Sequence, residues 1–184
     1  FDSWHCNRQV SSREGARVRL AGFLAAALAL SATAVSAQEI NLTLGGAYGH
    51  VALSSGFASP YKITLPAGGS VSANGLGEHC TGIISDRAVY SIDFTAGAAP
   101  LFFAAMAGDD TMLAIFSPDG AWHCDDDSYG NRNPLVRIDA PQSGRYQVFI
   151  GVYSPATGSP NAQFLVSEGA PPAKPDEGTG FELH

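Results

Sequence analysis

Charge is scarce in this chain. Only 15% of its 184 residues are Asp, Glu, Lys or Arg, against roughly 25% in an average soluble domain. Ten of them are basic and the formal net charge is -7, so the chain lacks the basic footprint with which a nucleic-acid binder neutralises phosphates. Helical periodicity is missing as well: no segment carries three clean turns of the 3.6-residue apolar pattern. Gly and Pro together supply 32 residues, which excludes a coiled coil or long-helix protein and favours a turn-rich β protein. Catalytic signatures are equally thin. No serine sits in G-x-S-x-G, no histidines stand at H-x-H or H-E-x-x-H spacing, and Gly45-Gly46 and Gly68-Gly69 are followed by no Lys-Ser/Thr, so a nucleophile elbow, a zinc site and a phosphate cradle all lack their framing residues. Carboxylates for glycoside hydrolysis exist, but they bunch in one turn of a small domain that offers little cleft. The expectation is a protein that is not an enzyme. Its rival is a cryptic hydrolase drafting His50, His79 or His123 as base.

What is present begins with a leader. Arg13, Arg17 and Arg19 precede an apolar run over residues 20–30, and small residues follow down to Val35-Ser36-Ala37. This charged, apolar, small-residue order predicts a signal peptide cut before Gln38. Residues 1–37 are thus read as an N-terminal extension and signal peptide, with the membrane met only through that segment before cleavage. The uncharged stretch is short for a bilayer span and carries no stop-transfer cluster. The expected product, residues 38–184, has six Lys/Arg against fifteen Asp/Glu, a formal charge of -9, and a secreted or periplasmic destination. Cys6 leaves with the leader. Cys80 and Cys124 remain and are predicted to pair in an oxidising compartment. The bridge would close a span of 44 residues and stabilise by about 4 kcal/mol at most.

Beyond the leader the apolar period is two. Residues 90–95 and 146–152 alternate, the second with an additional Phe149, and similar runs occur at 49–53, 61–65, 101–105, 112–116, 135–138 and 162–166. Ser117-Pro118-Asp119-Gly120 has the chemistry of a type I turn and predicts a hairpin between 112–116 and 121–124. About eight strands without intervening helices predict an all-β fold over residues 38–168: an antiparallel, jelly-roll-like β-sandwich with one disulfide. Residues 169–184, Pro-rich at first and without apolar period, are expected to form a disordered tail.

The densest local chemistry is Cys124-Asp125-Asp126-Asp127-Ser128-Tyr129-Gly130-Asn131-Arg132-Asn133-Pro134. Three successive carboxylates repel one another. A calcium ion held by Asp125, Asp127, Asn131 and Asn133, with Asp109 and Asp110 approaching from a neighbouring loop, would relieve that repulsion. The loop is not an EF-hand, since Tyr129 occupies the fifth position and Val136 the twelfth, where oxygen ligands are required. The competing reading is a solvated turn whose Asp and Asn side chains cap backbone amides, with Arg132 and Arg137 as counter-charges. Trp122, Tyr129, Phe149 and Tyr153 could line an exposed platform for a glycan or peptide; core filling by Trp122 and Phe149 is the favoured account.

Several of these stretches carry a resemblance. Residues 108–120, with Asp110-Thr111-Met112-Leu113 and Pro118-Asp119-Gly120, then Cys124-Asp125-Asp126-Asp127, then Ser143-Gly144-Arg145-Tyr146 before the final strands, resemble the bacterial pre-peptidase C-terminal domain family. Leu53-Ser54-Ser55-Gly56-Phe57 and Cys80-Thr81-Gly82-Ile83-Ile84 are similar to secreted proteobacterial proteins in which such a domain stands nearly alone. The resemblance implies a secreted, non-catalytic β-sandwich, calcium-stabilised in several relatives and appended to proteases for substrate binding or secretion. These 184 residues carry no protease domain signature. The expected function is therefore a binding or stabilising module for an unknown extracellular protein or polysaccharide, with an accessory role in extracellular proteolysis as the alternative.

Overall fold

A computed structural model describes residues 39–174; the expected leader and the end of the expected tail lie outside the described residues. Eleven strands form two facing sheets. In chain order they are β1 (His50–Ser54), β2 (Tyr61–Pro66), β3 (Val71–Ser72), β4 (Ile83–Ile84), β5 (Tyr90–Thr95), β6 (Leu101–Met106), β7 (Thr111–Phe116), β8 (Trp122–Asp125), β9 (Leu135–Ile138), β10 (Gly144–Val152) and β11 (Asn161–Glu168). One sheet is built around β10, which pairs with β5 over its first half and β7 over its second. Beyond β5 lies β1, beyond β7 lies β8, and β4 and β3 continue from the end of β10. The other sheet runs β2-β11-β6-β9.

Alternation along the strands sorts side chains into layers. Tyr146, Val148, Ile150 and Val152 of β10 meet Leu113 and Ile115 of β7, and Phe103, Phe164 and Val166 of the second sheet, in the core between the sheets. Phe149, the residue that breaks the alternation of β10, faces the other way. With Met112 and Ala114 it fills an outer core that residues 40–42 and 71–88 cover, and that core also takes in Ile84, Trp122 and Cys80. Trp122 lies between Phe116 and Phe149, ring centroids 5.0 and 5.3 Å away. Gln147 on the same face donates its amide to the Leu42 carbonyl at 2.7 Å and ties the covering segment down.

The sandwich and its disulfide agree with the sequence reading, with three differences. Two strands of two residues each, β3 and β4, are too short to show a period. β1 pairs with β5 in parallel, His50 opposite Ser91 and Ser54 opposite Thr95, because residues 55–89 cross to the other sheet and return, the long connection that parallel pairing requires. Finally, the first residues of the expected tail are placed: Pro172 is buried, and the Ser167 hydroxyl donates to the Ala170 carbonyl at 2.6 Å.

Candidate functional site

The hairpin of β7 and β8 closes where its turn residues require. Gly120, at a φ of 84° that favours glycine, donates its N–H to the Ser117 carbonyl at 3.0 Å, and Phe116 then faces Trp122 across the ladder. β8 ends in Cys124 and Asp125. Cys124 is bonded to Cys80, with Cα atoms 4.9 Å apart, so the loop before β4 is fastened to the outermost strand of its sheet. Among the described residues β8 pairs with β7 alone, and β9, at the margin of the second sheet, pairs with β6 alone. Two unpaired strand edges therefore border one corner of the sandwich. A groove of about 240 Å³ opens between them, with Glu78, His79, Trp122, His123, Leu135 and Arg137 among its walls. His79 has a positive φ of 58°, a conformation rarely taken by residues other than glycine.

The connection from β8 to β9 is the acidic turn, and it is built by its own hydrogen bonds. Asp125 Oδ2 accepts from the backbone N–H of Ser128 at 2.9 Å and of Leu135 at 2.7 Å, while Oδ1 accepts from the Ser128 hydroxyl. One carboxylate thus fixes the end of β8, the turn and the start of β9. Asp126 accepts from the Thr81 hydroxyl at 3.2 Å, which links the turn to the residue after Cys80. Gly130, Asn131 and Arg132 have φ values of 92°, 54° and 59°, a left-handed run that Asn tolerates better than most residues. Asn133 secures it: its amide donates to the carbonyls of Gly130 at 3.3 Å and Asn131 at 3.1 Å, and its Oδ1 accepts from the Ala107 N–H at 2.9 Å. Beneath the turn, Tyr129 is 3% exposed and packs with Met106 and Leu165 on the outer face of the second sheet. Its hydroxyl donates to the carbonyls of Pro172 and Ala173, each at 2.9 Å. Lys174 Nζ stands 5.8 Å from the ring centroid, a cation–π contact.

Of the oxygen ligands expected for calcium, Asp125, Asp127, Asn131 and Asn133 lie on this connection and Asp110 is near enough to act on the Asp127 carboxyl, but they divide in role. Asp125 and Asn133 spend their side-chain oxygens on backbone N–H donors, the behaviour of the capped turn. Asn131 offers its carbonyl to Asn133. Asp110 offers its carbonyl to the Tyr153 N–H at 3.1 Å, and Asp109 is exposed. Asp127 is also exposed; partial desolvation and the charges of Asp126, Asp110 and Asp125 push its carboxyl above the usual range, with Arg132 opposing. Among the described residues, no three His, Cys, Asp or Glu side chains converge as a metal cluster. Arg132 supplies counter-charge as expected. Arg137 does not: its guanidinium pairs with Asp139 at 2.6 Å and lies 5.6 Å from the Phe102 ring centroid.

The structure also shows a Ser, His, Asp grouping that the sequence reading missed. Ser117 Oγ lies 3.1 Å from His123 Nε2, touches Asp119 Oδ1 and reaches the Ala121 carbonyl at 3.0 Å. The only signal in the sequence was a serine opening a tight turn with a histidine three residues past its close. The arrangement runs opposite to a hydrolase triad. The hydroxyl's single proton serves Asp119 and the Ala121 carbonyl, so Nε2 must be the donor toward Oγ, whereas a general base presents a bare nitrogen there. The acid orients the serine instead of the histidine. That serine is also 3% exposed. The Ser117 O–H and the Ala121 N–H hold Asp119 below the usual carboxylate range, with a further contribution from His123. The group locks a hairpin turn. The four aromatic residues considered as a platform are separated too: Phe149 is fully buried, Tyr129 is sealed under the turn, and Tyr153 is 56% exposed.

Fold and corner together define a disulfide-stapled, two-sheet β-sandwich with a charged groove between two free edges. No protein-family model matches this chain, and no curated protein matches it. Solved structures that match include that of Aeromonas hydrophila PliG, a periplasmic lysozyme inhibitor of g-type lysozyme, at 12% identity over 65% of this chain and 98% of that one, with a TM-score of 0.35.

Proposed function

We propose that the protein is an exported, non-catalytic β-sandwich module that binds a protein partner at the corner between β8 and β9. The observation that carries this reading is the groove itself, bordered by two unpaired strand edges and braced by the Cys80–Cys124 bond. Free edges offer main-chain donors and acceptors to an added strand. The bridge and the Asp125 hydrogen bonds hold them in place before binding, which lowers the ordering cost of association. Mixed charge at the rim, Glu78 and Asp125 against Arg137, suits recognition of a polar protein surface. Export is supported by the disulfide, which persists in oxidising compartments. Kinship with pre-peptidase C-terminal domains belongs to this proposal as well, supported by the Pro118-Asp119-Gly120 hairpin and by the Ser143-Gly144-Arg145-Tyr146 entry to β10.

The test uses immobilised natively purified protein and the secreted and periplasmic fractions of its own host. Wild-type protein is expected to retain a partner that the double variant His123→Glu, Arg137→Glu loses, while that variant still unfolds in a single cooperative transition, lowered by about 1 kcal/mol because the Ser117–His123 hydrogen bond is gone. Retention of the same partner by the double variant contradicts the reading.

A further inference from the structure

A second pocket, of about 370 Å³, shares no wall residue with the β8–β9 groove. Ser72, Asn74, Thr81, Ile83, Tyr153 and Pro155 are among its walls, and no charged side chain contributes. In a chain this acidic, a pocket walled by hydroxyls, one amide, one aromatic ring and aliphatic carbon selects for an uncharged polar ligand. Tyr153 is one of three large apolar side chains left exposed among the described residues, with Leu44 and Tyr48.

The walls are fixed before any ligand arrives. Tyr153 follows β10 directly and donates its N–H to the Asp110 carbonyl. Ser154 caps the 3-10 turn Pro155–Thr157 by accepting from the Ala156 N–H at 3.3 Å. Opposite, Ser72 pairs with Ile83, the Ala73 N–H donates to the Gly82 carbonyl at 2.9 Å, and the Asn74 N–H donates to the Ser72 hydroxyl at 3.2 Å. Gly82 has a φ of 78° and leaves no room for a Cβ, which would lie 2.5 Å from the Val152 carbonyl oxygen; this close approach keeps the two walls together. Thr81 donates its hydroxyl to Asp126, which leaves its oxygen free to accept.

We propose that this pocket binds a neutral saccharide, with the apolar face of one sugar ring stacked on Tyr153 and its hydroxyls bonded to Asn74, Thr81 and Ser72. A tyrosine ring provides apolar area beside a polar tip at little entropic cost. The Asn74 amide and the Ser72 hydroxyl can each donate and accept, and the Thr81 oxygen can accept, as paired sugar hydroxyls require. The proposal extends the binding-module reading to a second surface and does not depend on the β8–β9 corner.

The experiment is an NMR titration of the natively purified protein with chitotriose, cellotriose, maltotriose and mannotriose, and with trigalacturonate as an anionic control. At least one neutral trisaccharide is expected to shift the Asn74 side-chain amide and the Tyr153 ring resonances saturably by ~10 mM, the range of a weak single-site ligand. Tyr153→Ala and Asn74→Ala should each weaken that binding by about tenfold or more, equal to one good contact, while Tyr153→Phe keeps the stacking and most of the affinity. The double variant His123→Glu, Arg137→Glu should bind the sugar unchanged, so the corner and the pocket can fail separately. No shift with any of the four, equal binding by trigalacturonate, or full affinity in both Tyr153→Ala and Asn74→Ala would overturn the proposal.

Discussion

Two corners of the sandwich bring marginal strands of the two sheets together, and they are closed by different chemistry. At one, β1 passes to β2 through residues 55–60, and a single side chain does most of the fastening: Glu168, at the end of β11, accepts from the Ser55 hydroxyl at 2.6 Å and the Gly56 N–H at 2.5 Å. Next to it, Tyr61 and Tyr90 stack and share a hydroxyl hydrogen bond of 2.7 Å. At the other corner, β8 passes to β9 through a longer turn bearing three consecutive aspartates. Closure there takes a covalent bridge, the three bonds of Asp125, the Asn133 clamp and the Tyr129 plug. The comparison teaches that carboxylates at both corners are satisfied mainly by N–H and hydroxyl donors of the fold. What distinguishes the acidic corner is the surplus: Asp127 carries charge that none of these bonds uses, next to the turn that borders the β8–β9 groove.

Removing the staple should break this comparison most severely. Cys80→Ala with Cys124→Ala should lower stability by up to about 4 kcal/mol, the loop-closure contribution for this span, as read by chemical denaturation. Asp125→Ala comes next, because it strands two backbone N–H groups and a hydroxyl at once; about 1–3 kcal/mol is expected. Glu168→Gln should cost less, about 0.5–1 kcal/mol, since its bonds are partly open to water. The calcium proposal, which rests on Asp109, Asp110 and Asp127 once Asp125 is committed to the backbone, expects calcium to raise Tm over a chelator control and Asp127→Ala to remove the rise; superimposable melts end it. Asp125→Ala should lower Tm in both buffers.

The smallest effects are those of pH, and they have opposite signs at the two corners. In the folded state Glu168 is held below the usual range by the Gly56 N–H and the Ser55 hydroxyl. Its contribution is complete above the unfolded-state value and is lost as pH falls through the folded one. Melting curves from pH 6 to pH 2 should therefore show an acid-side loss of stability that is smaller in Glu168→Gln. Asp93 adds to that loss, because Arg145, through hydrogen bonds of 2.8 and 3.0 Å, lowers its carboxyl. Asp127 is raised, so its charge opposes folding above its folded value and is harmless below. Asp127→Asn should raise Tm slightly at pH 7 and leave it unchanged at pH 3.

Much of this was legible in the sequence because period-two runs and turn chemistry are local. The strands with clean alternation appear within a residue or two of their expected bounds, the Ser117-Pro118-Asp119-Gly120 hairpin forms as read, and Cys80 finds Cys124. The additional Phe149 was visible but unexplained, since nothing local announces that loops 40–42 and 71–88 cover the outside of its sheet. The parallel pairing of β1 with β5 depends on which sheet the chain visits in between, and that choice is not local either. At the acidic turn, residue types alone left ligand and cap indistinguishable. The distinction depends on Leu135 and Ala107, which supply N–H groups to Asp125 and Asn133 from outside the turn. Tyr129 looked like a surface aromatic because the segment that seals it, Pro172 and Ala173, read as tail.

The most direct test of the central claim, that the stapled corner and not the hooked one is the binding edge, is site-specific photo-crosslinking in the native host. A photoreactive residue is placed at His123 on β8 or at Ala52 on β1, both on marginal strands of the same sheet. The account predicts one discrete crosslinked partner from position 123 and none from position 52. Equal yields from both positions, or a partner captured from position 52 alone, would contradict it.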